Sequence, residues 1–216
     1  MRNSRGTRSK HKIRQRVIQY IEENIRSYLI LLIVFFIGII LGIIFINNSN
    51  EEQVTQITTY INNFINSMKN NYQISTNTLL IDSIINNVSI AILLWFLGST
   101  VIGVPLIYLV IGYKGYCIGF TISAIIATIG TGKGILFITG AMLLQNIIYI
   151  PCILTLATSG IKLYKLIMED RRRENVKLQI LKHTIFSVFI LLALVLSSFV
   201  ETFISGNLIT SLIKYC

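Results

Sequence analysis

Charge is scarce in this chain of 216 residues: only 13% are Asp, Glu, Lys or Arg, whereas a soluble domain carries about 25%. Hydrophobic residues make up 53% of the chain, and its mean hydropathy is +0.70, which excludes an ordinary soluble globular protein. With only two prolines and 14 glycines, a collagen-like or linker-dominated chain is excluded as well. Lys and Arg outnumber Asp and Glu by 19 to 9, which is typical of a membrane protein with basic cytoplasmic loops.

The side chains that usually carry chemistry are also few. The three cysteines and two histidines show neither a metal-ligand spacing nor a disulfide framework, and no phosphate-binding loop or dinucleotide fingerprint occurs. The sequence therefore predicts a protein that is not an enzyme, with no catalytic residue, metal or cofactor. A nucleic-acid partner is not expected, because no folded basic module is present. The spacing of Ser99 and His183 does not support a serine–histidine intramembrane protease. An intramembrane enzyme that uses His183 and Glu201 is a separate hypothesis.

Five stretches of the chain contain no charged residue, and each is long enough to cross a bilayer core, which requires about 20 helical residues. Backbone polar groups must be satisfied within a span, so helices are expected. The sequence predicts an all-α polytopic membrane bundle of about five transmembrane helices. The charge-free stretches are residues 27–50, 83–113, 115–132, 134–161 and 183–200.

Two turns inside this pattern are predicted from single lysines. Only Lys114 separates the second stretch from the third, and Gly112 and Gly115 flank it, so we expect a tight helical hairpin with its turn at Lys114. Glycines around Lys133 predict the next turn. Pro105 is expected to kink the second helix, because proline removes a backbone hydrogen bond.

The cations are distributed unequally: eight precede the first span and seven lie between the fourth and fifth. A cytoplasmic N-terminus places sixteen of the 19 inside, in agreement with the positive-inside rule. The predicted segments are a basic cytoplasmic amphipathic segment (1–27), helix 1 (28–46), an extracytoplasmic loop with an amphipathic helix (47–87), helices 2–4 (88–161), a basic cytoplasmic loop (162–183), and helix 5 with a tail (184–213).

An amphipathic stripe at 3-4-3-4 spacing predicts the helix in the extracytoplasmic loop. This helix packs on the bundle, lies at the outer interface, or presents a face to a partner protein, and these alternatives stay open at this stage. The candidate partner face consists of Val54, Ile57, Ile61, Phe64 and Met68.

Inside the predicted spans, small and polar residues are the candidates for helix packing or a partner interface. A stripe of small residues allows close approach of helices, within the bundle or between protomers, so a homo-oligomer is a further alternative. Amides near the centre of the predicted fourth span, and a carboxylate after the fifth, serve either as structural hydrogen-bonding groups or as the lining of a pathway. The candidates are Gly115, Gly119, Ser123, Ala127, Gln145, Asn146, Pro151 and Glu201.

Short motifs in a fixed order give the chain a resemblance to a known family. They are EENIRSYL at 22–29, LG at 41–42, WFLG at 95–98, GVPL at 103–106, KGY at 114–116, LQN at 144–146 and ETFI at 201–204. In their order and spacing these pieces resemble the stage II sporulation protein M family of endospore-forming bacteria. The His-Gly…Glu pattern of the wider superfamily is replaced here by Gln145, Asn146 and Tyr149.

The resemblance implies a non-enzymatic membrane scaffold. Its implied place is the bacterial cell membrane, on the mother-cell side of the sporulation septum and in the engulfing membrane. Its implied partners are two peptidoglycan hydrolases, an amidase/endopeptidase (stage II sporulation protein P) and a lytic transglycosylase (stage II sporulation protein D), which it anchors for septal wall thinning and engulfment. The alternative hypothesis is a small-solute transporter or channel subunit, with Gln145, Asn146 and Glu201 near a pathway.

Overall fold

The protein is all-helical in a computed structural model that describes residues 21–69, 76–100, 102–169 and 176–205, and no strand occurs in these ranges. Within the described ranges, the α-helices with defined bounds are α1 (Ile25–Asn47), α2 (Glu51–Lys69), α3 (Thr76–Gly98), α4 (Gly103–Ile129), α5 (Thr131–Ile138), α6 (Leu144–Glu169) and α7 (Val176–Val200). In the same ranges, the π-helical turns Thr139–Leu143 and Glu201–Ser205 follow α5 and α7.

Five of these helices are long and apolar enough to cross a membrane, as the sequence predicts. The 23 residues of α1 extend about 35 Å at 1.5 Å per residue, slightly more than a hydrocarbon core of about 30 Å. In the apolar window of α6, 56% of the residues are buried, against 22–33% in the other spans. Therefore α6 is the central helix of the bundle, and α1, α3, α4 and α7 all contact it.

The core and the outer surface of the bundle are both apolar, which is the pattern expected of a protein surrounded by lipid. Fully buried side chains from five helices form one cluster around α6, including Leu31, Leu94, Ile107, Leu156 and Leu194. The outward faces of the same helices carry exposed hydrophobic side chains, for which the bilayer is the natural environment. The most exposed on α1 are Leu29, Ile33, Phe36, Ile40 and Leu41.

Glycines on both α1 and α4 bring these two helices together over the most extensive interface in the described structure. A Cβ at Gly38 would overlap the backbone oxygen of Gly112, and a Cβ at Gly119 would overlap that of Ile39. Glycine, whose side chain is a single hydrogen atom, is the residue that fits at these positions, so the backbones of α1 and α4 are in direct contact. This close approach is the mode of association that small residues at four-residue spacing allow in membranes.

The predicted turn at Lys114 is wrong. Helix α4 runs without a break from Gly103 to Ile129, and Lys114 lies half-buried in its middle. The hairpin turns between Gly98 and Gly103, where a Cβ on Gly103 would overlap the Leu97 carbonyl oxygen. A single lysine does not end a helix, because its long side chain can direct the ammonium group toward a polar environment. The chain turns where glycine permits the tight backbone path.

The predicted kink at Pro105 is also absent. Pro105 lies in the first turn of α4, where the backbone N–H has no partner within the helix, so proline costs nothing there. The proline that lies in the interior of a helix is Pro151, on an exposed face of α6.

Several segment boundaries move because the helices extend beyond the charge-free stretches. Helix α3 begins at Thr76, α6 continues to Glu169 and α7 begins at Val176, so most of the predicted loops at 47–87 and 162–183 is helical. The fourth span lies at Asn146–Met168, since the residues before it form α5 and a π-turn. The basic segment at 1–20 and the tail after 205 lie outside the described residues.

Candidate functional site

The amphipathic helix predicted between the first two spans corresponds to α2. Two acidic residues, Glu51 and Glu52, occupy its first turn, where they interact favourably with the helix dipole. Its apolar stripe turns toward the bundle: Val54, Ile57 and Ile61 are half-buried. One turn later, Ile65 is buried against Ile125 of α4 and Phe137 of α5. Packing on the bundle therefore explains why part of the apolar stripe is buried, while the half-buried residues keep some exposed surface.

A groove of about 520 Å³ remains between α2 and α4. Its walls are apolar and aromatic, with Ile57 and Ile61 on one side and Phe120 and Ile125 on the other. At its margin lies Tyr60, which is 76% exposed and is thus the most exposed large hydrophobic residue described. A groove of this size and character can accept an apolar side chain or helix face of a partner. The side chains of Phe64 and Met68, the other members of the predicted face, lie outside the described part.

The stripe of small residues on α4 is divided between two environments. Gly115 and Gly119 face α1, where Cβ atoms would overlap the carbonyl oxygens of Phe35 and Ile39. Further along, Ser123 is half-buried and Ala127 is exposed. The part of the stripe that needs glycine is therefore a seam within one chain.

Sequence reasoning missed the partner of this seam. It is a glycine pair on α1, Gly38 and Gly42, which are four positions apart. The sequence does contain a signal for this pair, because the spacing of the two glycines is the same as that of Gly115 and Gly119 on α4.

Polar side chains form a second feature, at the end of the bundle near α2 and the π-turns. Glu201, in the second π-turn, is half-buried and accepts a hydrogen bond from Ser83 of α3. One turn deeper, Asn87 is 1% exposed and donates from Nδ2 to Ser198 Oγ at 2.8 Å and to the Leu194 carbonyl at 3.3 Å. These contacts link α3 to α7 and to the second π-turn through buried and half-buried polar groups, the kind of interhelical hydrogen bond that membrane bundles use.

The other predicted polar candidates do not bridge helices through the hydrogen bonds that the structure shows. Asn146 lies in the first turn of α6, near one end of the span instead of at its centre, and donates to the carbonyl of Met142 at 2.9 Å. The side chain of Gln145 lies outside the described part. Nearby, the buried hydroxyl of Tyr149 has no hydrogen-bond partner among the described residues.

Sequence reasoning also missed Asn87, which it placed at the edge of the loop. A double asparagine at 86–87, followed by an apolar run, was the available signal. The sequence alone does not decide which of the two points inward, because that depends on the rotation of α3 about its axis.

Replacing Asn87 by leucine is expected to destabilise the protein by roughly 0.6–2 kcal/mol, because the hydrogen bonds to α7 are lost. Thermal unfolding in detergent measures the effect. Asn86→Leu is the matched control: Asn86 is exposed on the same helix, so its replacement is expected to leave the unfolding temperature unchanged or raise it. Equal losses of stability in the two variants would contradict the assigned role of Asn87.

Comparison with protein families decides what this bundle is. The family model of stage II sporulation protein M matches residues 31–206, from α1 to the second π-turn. The chain belongs to this family. It is therefore a sporulation-related membrane protein. Comparisons with curated proteins and with solved structures give no match.

The match to the stage II sporulation protein M family covers all five spans almost completely, and it also covers α2 and the groove beside it. It includes the glycine seam between α1 and α4 and the Ser83–Glu201 contact. The matched region begins after Ile25, so it excludes the basic N-terminal segment and the first turns of α1.

Proposed function

We propose that this protein is a non-enzymatic scaffold that anchors peptidoglycan hydrolases at the sporulation septum. The observation that carries the proposal is the apolar groove beside α2, in a chain that belongs to the stage II sporulation protein M family. The partners are an amidase/endopeptidase and a lytic transglycosylase, stage II sporulation proteins P and D. Together they thin the septal wall and move the engulfing membrane of the mother cell around the forespore.

The position of the groove supports an extracytoplasmic partner. Helix α2 follows the C-terminal end of α1, whereas Glu23, just before α1, forms an ion pair with Lys162 at 3.4 Å. The groove and this basic end of the bundle thus lie at opposite ends of α1. The distribution of cations predicts that the basic end is cytoplasmic, and in that orientation α2 is on the side where peptidoglycan lies.

The energetics also favour a protein partner at this groove. Aromatic residues at the margin of an apolar pocket are frequent anchors of protein interfaces, because they bury a large surface and lose little conformational entropy. Tyr60 is exposed and lines the same groove as Phe120 of α4, so both rings are available to a partner side chain that enters the groove. A membrane-anchored hydrolase could supply such a side chain from its own apolar segment.

The test is co-purification from sporulating cells with a Tyr60→Asp variant. The introduced carboxylate must be desolvated when a partner covers the groove, so recovery of both hydrolases is expected to fall at least tenfold. Asn62→Asp is the matched control, since Asn62 is an exposed residue of the same helix outside the groove. It is expected to retain both hydrolases.

Two outcomes would contradict this proposal. One is full recovery of both hydrolases with Tyr60→Asp, which would move the interface away from α2. The other is a folded, septum-localised protein that retains no wall hydrolase, which would remove the scaffold role itself. The helical content of each variant, measured by circular dichroism, distinguishes loss of binding from loss of folding.

A second candidate function is solute transport, and the observation that favours it is the carboxylate of Glu201 within the bundle. Carboxylates in membrane spans often mark ion or substrate pathways, and π-helical turns often occur at functional sites. Solute flux into reconstituted vesicles that is lost with Glu201→Gln or Asn146→Leu would support transport. The absence of flux in the unaltered protein would contradict transport, and the scaffold would then be the remaining proposal.

A further inference from the structure

A second cavity lies at the opposite end of the bundle from α2, between the C-terminal half of α6 and the N-terminal half of α7. Its volume is about 360 Å³. The polar residues that line it are Ser159 and Lys162 of α6 and Gln179, Lys182 and His183 of α7. Neither the family match nor the proposed scaffold function gives this cavity a role.

The polar groups that line the cavity are mainly hydrogen-bond donors. Two ammonium groups, an amide and a hydroxyl can all donate hydrogen bonds, and the described residues that line the cavity include no carboxylate. Such a set of donors is suited to a phosphate group, which offers several acceptor oxygens and negative charge. Lysine is a common phosphate ligand in proteins, and basic pockets between transmembrane helices on the cytoplasmic side bind lipid headgroups.

The wall of the cavity is preorganised by a buried pair, Ser159 and His183. They are 8% and 4% exposed, and Ser159 Oγ lies 2.8 Å from His183 Nδ1. The other ring nitrogen, Nε2, faces the end of α3, and a Cβ at Gly98 would lie 3.1 Å from it. When Nδ1 donates to Ser159, the serine hydroxyl hydrogen is left to donate to a ligand in the cavity.

Apolar residues form the rest of the cavity wall, and they favour the phosphate group of a lipid over free inorganic phosphate. Leu163, Leu166 and Phe186 line the cavity beside the polar groups. On the outer face of α7, Leu181 and Ile185 are 54% and 52% exposed, as expected of residues that face lipid. The cavity therefore lies near the end of the spans, where lipid headgroups meet acyl chains, and its apolar wall suits the glycerol and upper acyl region.

We propose that this cavity binds the phosphate group of an anionic phospholipid. Lys162 and Lys182 contact the phosphate oxygens, and Ser159, oriented by His183, donates a hydrogen bond. The three apolar side chains pack on the lipid backbone. The ligand occupies the cytoplasmic leaflet, because the same cations that line the cavity belong to the group that predicts a cytoplasmic orientation for this end.

Among the described residues, the carboxylate of Glu23 already contacts one of the cavity lysines and competes with the ligand. Glu23 Oε2 lies 3.4 Å from Lys162 Nζ, and the glutamate side chain is 67% exposed. An exposed ion pair of this kind contributes little free energy, so a phosphate group in the cavity can replace it. The site therefore predicts opposite effects for substitutions at its lysines and at Glu23.

The test measures lipid binding to the purified full chain in detergent, by native mass spectrometry with phosphatidylglycerol, phosphatidylcholine or inorganic phosphate as the probe. The dissociation constant for the first bound phosphatidylglycerol is expected to rise roughly thirtyfold in a Lys162→Gln, Lys182→Gln double variant. The matched control is Lys165→Gln with Lys177→Gln, which removes the same charge from exposed lysines of the same two helices outside the cavity lining. The control is expected to bind within about threefold of the unaltered protein, since no phosphate contact is removed.

Substitution of Glu23 is expected to have the opposite effect on the affinity for phosphatidylglycerol. Glu23→Gln is expected to tighten phosphatidylglycerol binding severalfold, because it removes the competing carboxylate, while Glu22→Gln is expected to leave it unchanged. Ser159→Ala, which keeps both lysines, is expected to weaken binding about threefold to tenfold. The emission of Trp95, the single tryptophan, verifies folding in each variant.

Three results would overturn the proposal. Equal affinity of the cavity and control double variants for phosphatidylglycerol would show that general surface charge holds the lipid. Equal binding of phosphatidylcholine would remove the requirement for an anionic ligand. Displacement of phosphatidylglycerol by millimolar inorganic phosphate would assign the cavity to a soluble phosphate instead of a lipid.

Discussion

A Gly119→Leu substitution is expected to destabilise the protein by about 3 kcal/mol, the upper end of the range for overpacked sites, by forcing α1 away from α4. The Cβ alone would overlap the carbonyl oxygen of Ile39, and it would lie 2.8 Å from the carbonyl carbon and 2.9 Å from the Cα of the same residue. These atoms belong to the backbone of α1, which cannot move by rotating a side chain. The whole helix has to shift.

The shift affects more than one contact because the seam is continuous. Gly115 faces Phe35 one turn earlier, and on α1 Gly38 and Gly42 face the backbone of α4. Separation at Gly119 thus removes packing along the interface, and in a membrane this packing is the main attraction between helices, since lipid is as apolar as the side chains. Helix α1 also contacts α6 through a hydrogen bond from Tyr28 to Thr155, at 3.1 Å.

Thermal unfolding in detergent, followed by circular dichroism, measures the effect of Gly119→Leu. Gly132→Leu is the control: it makes the same change in composition at a glycine of α5 where an added Cβ meets no atom within 4 Å. The control is expected to unfold at the temperature of the unaltered protein. If both variants unfold at the same temperature, the seam does not hold α1 on α4.

The second large effect is expected at Gly160, where α6 crosses α3. A Cβ there would lie 2.8 Å from the Cα of Gly98 and 3.1 Å from Ile107 Cδ1. Alanine favours a helix over glycine by about 1 kcal/mol, so Gly160→Ala tests whether the close contact outweighs that gain. We expect a net destabilisation of about 1–3 kcal/mol, since the opposing atom is backbone.

Trp95 provides a local readout of this crossing. It lies one turn before Gly98, and its Nε1 donates to Thr184 Oγ1 at 3.1 Å. Displacement of α3 is expected to break this hydrogen bond and to shift the tryptophan emission. Gly132→Ala is the matched control, because a Cβ at Gly132 of α5 would meet no atom within 4 Å, and it is expected to leave the emission and the unfolding temperature unchanged. An unchanged emission spectrum and unfolding temperature in Gly160→Ala would contradict the tight crossing.

Composition predicted the number of spans because crossing a bilayer imposes a length and an apolar content that few other structures share. The amphipathic spacing likewise predicted the helix that became α2, since periodicity is a local property of the chain. The polar candidates were less predictable. Asn146 looked like an interhelical group, but its side chain bonds to the carbonyl of Met142 in the preceding turn. The carboxylate of Glu201, in contrast, does reach another helix, at Ser83.

The missed turn has a simple cause. Lys114 interrupts a charge-free stretch, and the interruption resembles a loop in a one-dimensional pattern. A helix tolerates one lysine at its centre when the packing of neighbouring helices leaves the ammonium group a path to a polar environment, and this packing is not visible in local sequence. The tight backbone at Gly103 decided the turn instead.

The sequence by itself determined that this protein has five apolar helices long enough to cross a membrane, with few charged residues inside them. Both properties follow from the energetic cost of placing charge and unsatisfied backbone groups in lipid. Only the tertiary structure decided which faces meet. It paired the glycines of α1 with those of α4, directed Asn87 instead of Asn86 to the interior, and placed Ser159 and His183 beside two lysines. These choices depend on the rotation of each helix about its axis, which is set by close packing between residues distant in the chain.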